Sequence, residues 1–401
     1  MSRITASAVN ASPSSSMEYC SSRQSSWSCR KHNQRIRHIQ EASNMIAFTR
    51  GVPATEAFPV EALGECAASA LAKYSSQILQ YGSFRGFGPL REFIAAGHGL
   101  QPDQVLLSQG ALQIVDFVAR SLITPGTTVL VEQPSYDRVI KVLRRAGATV
   151  VGVPLQEDGM DLTACEELIR EHHPLMTYVI SDFQNPSGTT MSEAKRRAFA
   201  ALAEQYGVLV LEDLPYRRLR YAGDDVPTIQ SMIPHRTIQL SSFSKLLSPG
   251  LRVGVAFGPQ QYMDRLGKTA QDTYITPSLL SQATVFEFID SGLLPAQIEK
   301  LRNLYRPRLS ELLAALDAEM ADLGTWARPE GGFFVGVMLN KSVKAEALIA
   351  RGLEKGIQLT NGRDFFADGR GDTFVRLPFC ALTTEEIDEG VRTLAQVVRS
   401  L

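Results

Sequence analysis

The chain has 401 residues, 44% of them hydrophobic, enough to bury a substantial core spread over more than one structural unit. Its 41 Lys and Arg nearly cancel its 42 Asp and Glu, so no global field favours nucleic acid or an anionic membrane, and the expected partner is a small molecule. Five scattered cysteines (Cys20, Cys29, Cys66, Cys165, Cys380) without a CxxC pair argue against a disulfide framework and a zinc site, and fit a reducing, cytoplasmic setting.

Met1 to Arg37 is rich in Ser and Arg, holds a single acidic residue (Glu18) and shows no sustained apolar period. Residues 1–40 therefore read as a disordered tail, although an organelle transit peptide has the same composition. No apolar run approaches the roughly 20 residues that span a bilayer, and no secretory pattern opens the chain.

Residues 41–75 form an N-terminal segment expected to pack with a small domain. From about Tyr81 onward short β-branched runs alternate with helical stretches, the mark of an α/β domain. Val105–Ser108, Thr128–Glu132, Thr149–Val153, Met176–Ser181, Val208–Glu212, Thr237–Ser241 and Val253–Gly258 read as largely buried strands. Between them, Ala111–Leu122, Tyr136–Ala146, Ser192–Tyr206 and Pro259–Gln271 repeat apolar residues near every 3.6 positions, with Gly126, Gly147 and Gly207 as stops. The expected architecture is a mainly parallel seven-stranded sheet between helices over 76–295. A smaller α/β domain follows over 296–401, entered by a long helix near Pro295–Leu323 and continued by a strand at Phe333–Leu339.

The chemistry concentrates in Ser241–Gly254, SSFSKLLSPGLRVG, between two of these strands. A lysine that forms an imine must sit at a fixed point, partly desolvated so that its amine is nucleophilic near neutral pH. Lys245 is so placed, and Ser242, Ser244 and Arg252 supply hydroxyls and a guanidinium fork for phosphate oxygens. A lone loop lysine is usually a solvated charge, but polar anchors this dense between apolar strands do not suit that reading. The six histidines form no ligand cluster, so no metal is expected.

This stretch resembles the cofactor-lysine motif of fold-type I aminotransferases, in particular the 2-aminoadipate, kynurenine and aromatic aminotransferase branch. The resemblance runs in order through FTRGVP (Phe48–Pro53), YGSFRGFGPLR (Tyr81–Arg91), LLSQGALQ (Leu106–Gln113), EQPSYD (Glu132–Asp137) and QNPSG (Gln184–Gly188). It continues through EDLPYRRLRY (Glu212–Tyr221), RPEGGFF (Arg328–Phe334) and FVRLPF (Phe374–Phe379). It implies the pyridoxal 5'-phosphate (PLP) transferase fold type I, an amino group moved between an α-amino acid and a 2-oxo acid, and an internal aldimine at Lys245.

The resemblance also implies roles. Asp213 pairs with the cofactor's pyridine nitrogen and keeps it protonated. Asn185 and Tyr216 donate to its 3'-oxygen, and Tyr136 stacks on its ring. Gly110, Ala111 and Leu112 open a helix whose free N–H groups face the phosphate, although the branch commonly has Ser and Gln where Ala111 and Leu112 stand, so only backbone donation carries over. Tyr81 reaches the phosphate of a neighbouring subunit, which implies a homodimer with shared sites. Arg376 grips the substrate carboxylate with Asn185, and Lys245 shuttles the proton.

Gly51 is expected beside the substrate, and Arg50 before it departs from the small residue usual in the branch and is expected either to meet a distal anionic or polar group of the substrate or to lie in solvent. Two other readings stay open at this point. One is a different PLP reaction on the same fold (elimination, cyclisation, decarboxylation or oxidation) in a biosynthetic pathway. The other, a sensor fused to a DNA-binding domain, is disfavoured because only about forty residues precede the fold and no basic patch is evident.

Overall fold

The β-branched runs pair as strands because alternate side chains can then be buried on the two faces of a sheet. The computed structural model describes residues 45–401; the tail expected over 1–40 lies outside them. In chain order the strands are β1 (Ile46–Phe48), β2 (Val105–Ser108), β3 (Thr128–Gln133), β4 (Thr149–Gln156), β5 (Gly159–Met160), β6 (Met176–Val179) and β7 (Leu209–Asp213). Then come β8 (Thr237–Ser242), β9 (Gly254–Phe257), β10 (Gly324–Trp326), β11 (Phe334–Leu339), β12 (Ile357–Leu359) and β13 (Phe374–Pro378).

Eight of them form one sheet in the order β2-β9-β8-β7-β6-β3-β4-β5. The run from β8 to β4 is parallel, β9 is antiparallel to both β8 and β2, and β5 is antiparallel to β4. All seven expected strands are present. The eighth, β5, is a two-residue return whose Gly159 takes φ 118°, too short to leave an apolar run in the sequence.

On β7, Leu209 and Leu211 join the core under Ala111–Leu122, Asp137–Arg145 and Gln260–Tyr274, whereas Val210 joins the core under Leu162–His172 and Glu193–Tyr206. Leu211 and Val210 are fully buried, each stabilising the sheet by about 1.5–3 kcal/mol. The helices begin where the capping chemistry dictates. Ser192 accepts a hydrogen bond from the Lys195 N–H, and Gly207 ends that helix at φ 73°. Gly126, expected as a helix stop, lies instead in the turn beyond Ile123, the residue that caps Ala111–Leu122.

Beyond the sheet, helix Leu294–Glu319 packs along Thr384–Ser400, and β10, β11 and β13 make a three-stranded antiparallel sheet. β1 pairs in parallel with β12 and brings Thr49–Gly51 beside β11 and β13. Helix Val60–Ile78 lies along Leu279–Asp290, where Glu287 accepts from Ser69 and Lys73. Ile46–Leu401 form one compact unit, and no helix among the described residues is long and apolar enough to cross a membrane.

Candidate active site

Strands β2, β3, β6, β7 and β8 point the same way, so the segments leaving them converge along one edge of the sheet, where ligands of open α/β sheets bind. Lys245 stands in the tight turn after β8. Phe243 anchors that turn, its N–H donating to Val253 O and its carbonyl accepting from Leu246 and Leu247, both buried. The Ser242 hydroxyl oxygen accepts from the Ser244 N–H at 2.9 Å, leaving its own hydrogen to give. Lys245 Nζ donates to the Gly51 carbonyl at 2.9 Å and lies 5.6 Å and 6.0 Å from the ring centroids of Phe333 and Tyr216. Burial pulls its amine below the usual lysine range; the nearby Cys380 thiol opposes this and Arg376 adds to it.

Asp213 closes β7, 6% exposed. Its Oδ2 accepts from the Tyr178 hydroxyl at 2.8 Å, while Oδ1 is buried without a partner. Burial pushes the carboxyl up to about 6, against the lowering effect of the Tyr178 bond. Tyr216 is buried against Phe333 and Phe334, with centroids 5.4 Å and 5.8 Å away, and desolvation holds its hydroxyl well above the ordinary range. Tyr136, half-buried, precedes helix Asp137–Arg145, and its hydroxyl is also raised by burial.

Arg376, on β13, is 7% exposed and lies between the rings of Phe334 and Phe365, each 4.8 Å from its guanidinium carbon. One Nη donates to Asn185 Oδ1 at 3.2 Å, the other to Thr49 O at 2.7 Å, and Nε is buried without a partner. Gly110 precedes helix Ala111–Leu122 with φ 95°, a conformation suited to glycine. A Cβ there would fall 2.2 Å from an Nη of Arg252, which itself donates to Gln109 O at 2.9 Å. The lysine turn and the helix N-terminus thus meet, with Ala111 and Leu112 N–H groups at the opening.

Two expected residues stand apart. Tyr81 is 74% exposed, and Arg50 is exposed while the backbone on either side of it contacts the cluster. Several contributors went unforeseen. Tyr178 reads in the sequence as a core aromatic of β6. Thr49 acts through its carbonyl, which carries no residue-type signal, and Gly51, expected at the substrate, instead offers its carbonyl to Lys245. Phe334 and Phe365 announce themselves only once Arg376 lies between them.

The arrangement fits a flat group bearing phosphate, carbonyl and a basic ring nitrogen. The helix N-terminus and Arg252 suit the phosphate, the unpartnered Asp213 Oδ1 suits a ring N–H, and the depressed lysine suits the carbonyl. The free Nε of Arg376 suits a carboxylate on a second molecule.

A family model described as "Aminotransferase class I and II" matches residues 43–394. The chain is 34% identical over 367 residues to the 2-aminoadipate transaminase of Thermus thermophilus, covering 90% of this chain and 92% of that protein. It is 33% identical to aromatic-amino-acid aminotransferase 1 of Thermococcus litoralis, covering 90% and 89%. Among solved structures it superposes with a TM-score of 0.85 on LysN, an alpha-aminoadipate aminotransferase from Thermus thermophilus complexed with N-(5'-phosphopyridoxyl)-L-leucine. That match has 34% identity and covers 90% of this chain and 94% of the other.

Proposed function

The chain belongs to the class I and II aminotransferases and is a PLP-dependent enzyme moving an amino group between an α-amino acid and a 2-oxo acid; from that premise we propose how its residues divide the work. When bound, PLP supplies the carbonyl that receives the amino group and the ring that withdraws electrons. Lys245 holds the cofactor and, once free, takes the proton from the substrate Cα, a role typically worth about 10²- to 10⁴-fold. Its depressed basicity supports this, because a larger share of the amine is then neutral at a given pH.

Asp213 holds the ring N–H through Oδ1, and Tyr178 fixes the carboxylate from Oδ2. Tyr216 and Asn185 donate to the 3'-oxygen, and Tyr136 covers the ring. Gly110, Ala111, Leu112, Ser242, Ser244 and Arg252 hold the phosphate. Arg376, with Asn185, grips the substrate carboxylate and sets the Cα–H bond toward Lys245. The observation that carries the assignment is the buried, unpartnered Asp213 Oδ1 within the cluster that contains the depressed Lys245.

The relatives are named for 2-aminoadipate and aromatic amino acids, so acidic and aromatic amino acids are the donors to try first. The large exposure of Tyr81 supports a homodimer in which it reaches the neighbouring site. The three described cysteines, free and buried, suit the cytoplasm.

The test mixes PLP-loaded enzyme with an amino-acid panel and follows pyridoxamine phosphate and 2-oxo acid, expected in equal amounts. Ammonia, carbon dioxide or peroxide in their place would point to another reaction. Lys245→Ala should leave no borohydride-reducible cofactor adduct; the same adduct in the variant defeats the assignment. Sedimentation showing a fully active monomer removes the shared-site dimer.

A further inference from the structure

A second cavity, of about 690 Å³, lies between the outer face of β8 and β9, helices Gly88–His98 and Leu279–Asp290, and the segment following Tyr216. Its lining includes none of Lys245, Asp213, Asn185 or Arg376. On β8 the side chains alternate, so that Ile238 and Leu240 enter the core on the opposite face while Gln239 faces this cavity. Its size is that of a small-molecule site.

The lining is rich in arginine. Arg217, Arg218, Arg220 and Arg302 contribute four guanidiniums, and Asp225 the one carboxylate. Asp182, beneath the lining, is shared among Arg196 (2.6 Å), Arg217 (2.8 Å) and Arg220 (3.5 Å). Arg217 also reaches Asp225, Arg220 reaches Glu330 and Arg302 lies 3.6 Å from Glu299. Arg218 makes no ion pair among the described residues.

Buried polar atoms are left unmatched here as well. Gln239 is 5% exposed and its Oε1 has no partner; Arg220 is 8% exposed and its Nε and one Nη make no hydrogen bond. Interiors seldom leave such groups without a partner. The cations also sense one another. Burial, then Arg218 and Arg217, lower the basicity of His98, which lines the same cavity; Arg218 itself is exposed at the cavity's mouth.

We propose that this cavity binds a small organic anion carrying a phosphate or carboxylate group, gripped by Arg218 and Arg220, with Gln239 Oε1 accepting from a hydroxyl of the ligand. The guanidinium fork of Arg218 matches either oxygen pair, and Arg220, whose two Nη face Glu330 and Asp182, adds a bond from its Nε. Arg218, Arg220 and Gln239 lie outside the residues assigned to transamination, although the cavity reaches the back of the lysine turn at Ser242 and Leu246.

Calorimetric titration of the PLP-loaded enzyme, whose own phosphate site is filled, tests the inference with inorganic phosphate, citrate and chloride at matched ionic strength. Saturable binding of phosphate or citrate, but not chloride, is expected. It should weaken by about tenfold or more in Arg218→Ala and be abolished in Arg218→Glu, with kcat/KM unchanged in both. Phosphate alone identifies a phosphorylated ligand, and citrate alone a polycarboxylate. The same binding must persist in Arg376→Ala, which separates this cavity from the substrate site. Absence of saturable binding, equal binding by wild type and both Arg218 variants, or loss of binding in Arg376→Ala overturns the proposal.

Discussion

Tyr178 gives its hydroxyl hydrogen to Oδ2 of Asp213 across two parallel strands, at 2.8 Å. The bond favours the ionised carboxylate, which burial otherwise lifts to about 6. Only the ionised form holds a protonated ring nitrogen, so PLP affinity of the cofactor-free protein should fall as pH drops through about 6. In Tyr178→Phe the lowering influence is gone, and the midpoint of that fall should move upward by about one unit. Spectrophotometric PLP titrations across pH 5–8 measure it; superimposable profiles for the two proteins would contradict the role given to Tyr178.

The same carboxyl has a cost for stability. It takes up its proton at about 6 in the fold, against 3.8 as its ordinary value, so the folded chain holds a proton between those limits that the unfolded chain has released. The penalty for burying the charge is therefore absent below about 3.8 and complete above about 6, amounting to roughly 3 kcal/mol. Cofactor-free Asp213→Asn should melt above wild type at pH 7.5 and lose most of that advantage by pH 4.5, while the loaded variant turns over about 10²-fold or more slower. A lower Tm for the variant at pH 7.5 would show that the penalty is absent.

Arg376 presents its guanidinium between two rings and two acceptors, a geometry an ammonium cannot copy. Arg376→Lys should raise KM for the amino acid by about 30- to 100-fold, in keeping with the loss of one charge-assisted bond, and lower kcat less. Steady-state kinetics on both half-reactions separate the two constants. An unchanged KM would remove Arg376 from carboxylate binding.

At Gly51 a Cβ would come within 2.1 Å of Phe334 Cζ, the ring that flanks Arg376. Gly51→Ala should therefore displace Phe334, destabilise the fold by about 1–3 kcal/mol and raise KM through the loosened arginine. Thermal denaturation and KM measured together are the check; a lower Tm with KM unaltered would mean that Phe334 moves without disturbing Arg376.

Most of the large sheet was readable because buried parallel strands leave continuous β-branched runs, as at Val208–Glu212 and Thr237–Ser241. Lys245, Asp213 and Arg376 were readable because their types and order repeat a family pattern. What the sequence hid was of another kind. β5 has two residues and no periodicity, and Tyr178 is indistinguishable from its apolar neighbours until β6 lies against β7. The arginine-rich cavity brings together residues as distant as His98, Gln239 and Arg302, whose proximity exists only in three dimensions.

Thr49 and Gly51 offer their carbonyls to Arg376 and Lys245 respectively, so the two cations hang from one short ribbon of backbone carried by the β1–β12 pair. Sliding that ribbon by even a bond length would slacken both tethers together. A disturbance at β12, far along the chain, would thus be felt by the Lys245 amine and by the Arg376 guanidinium as a single event.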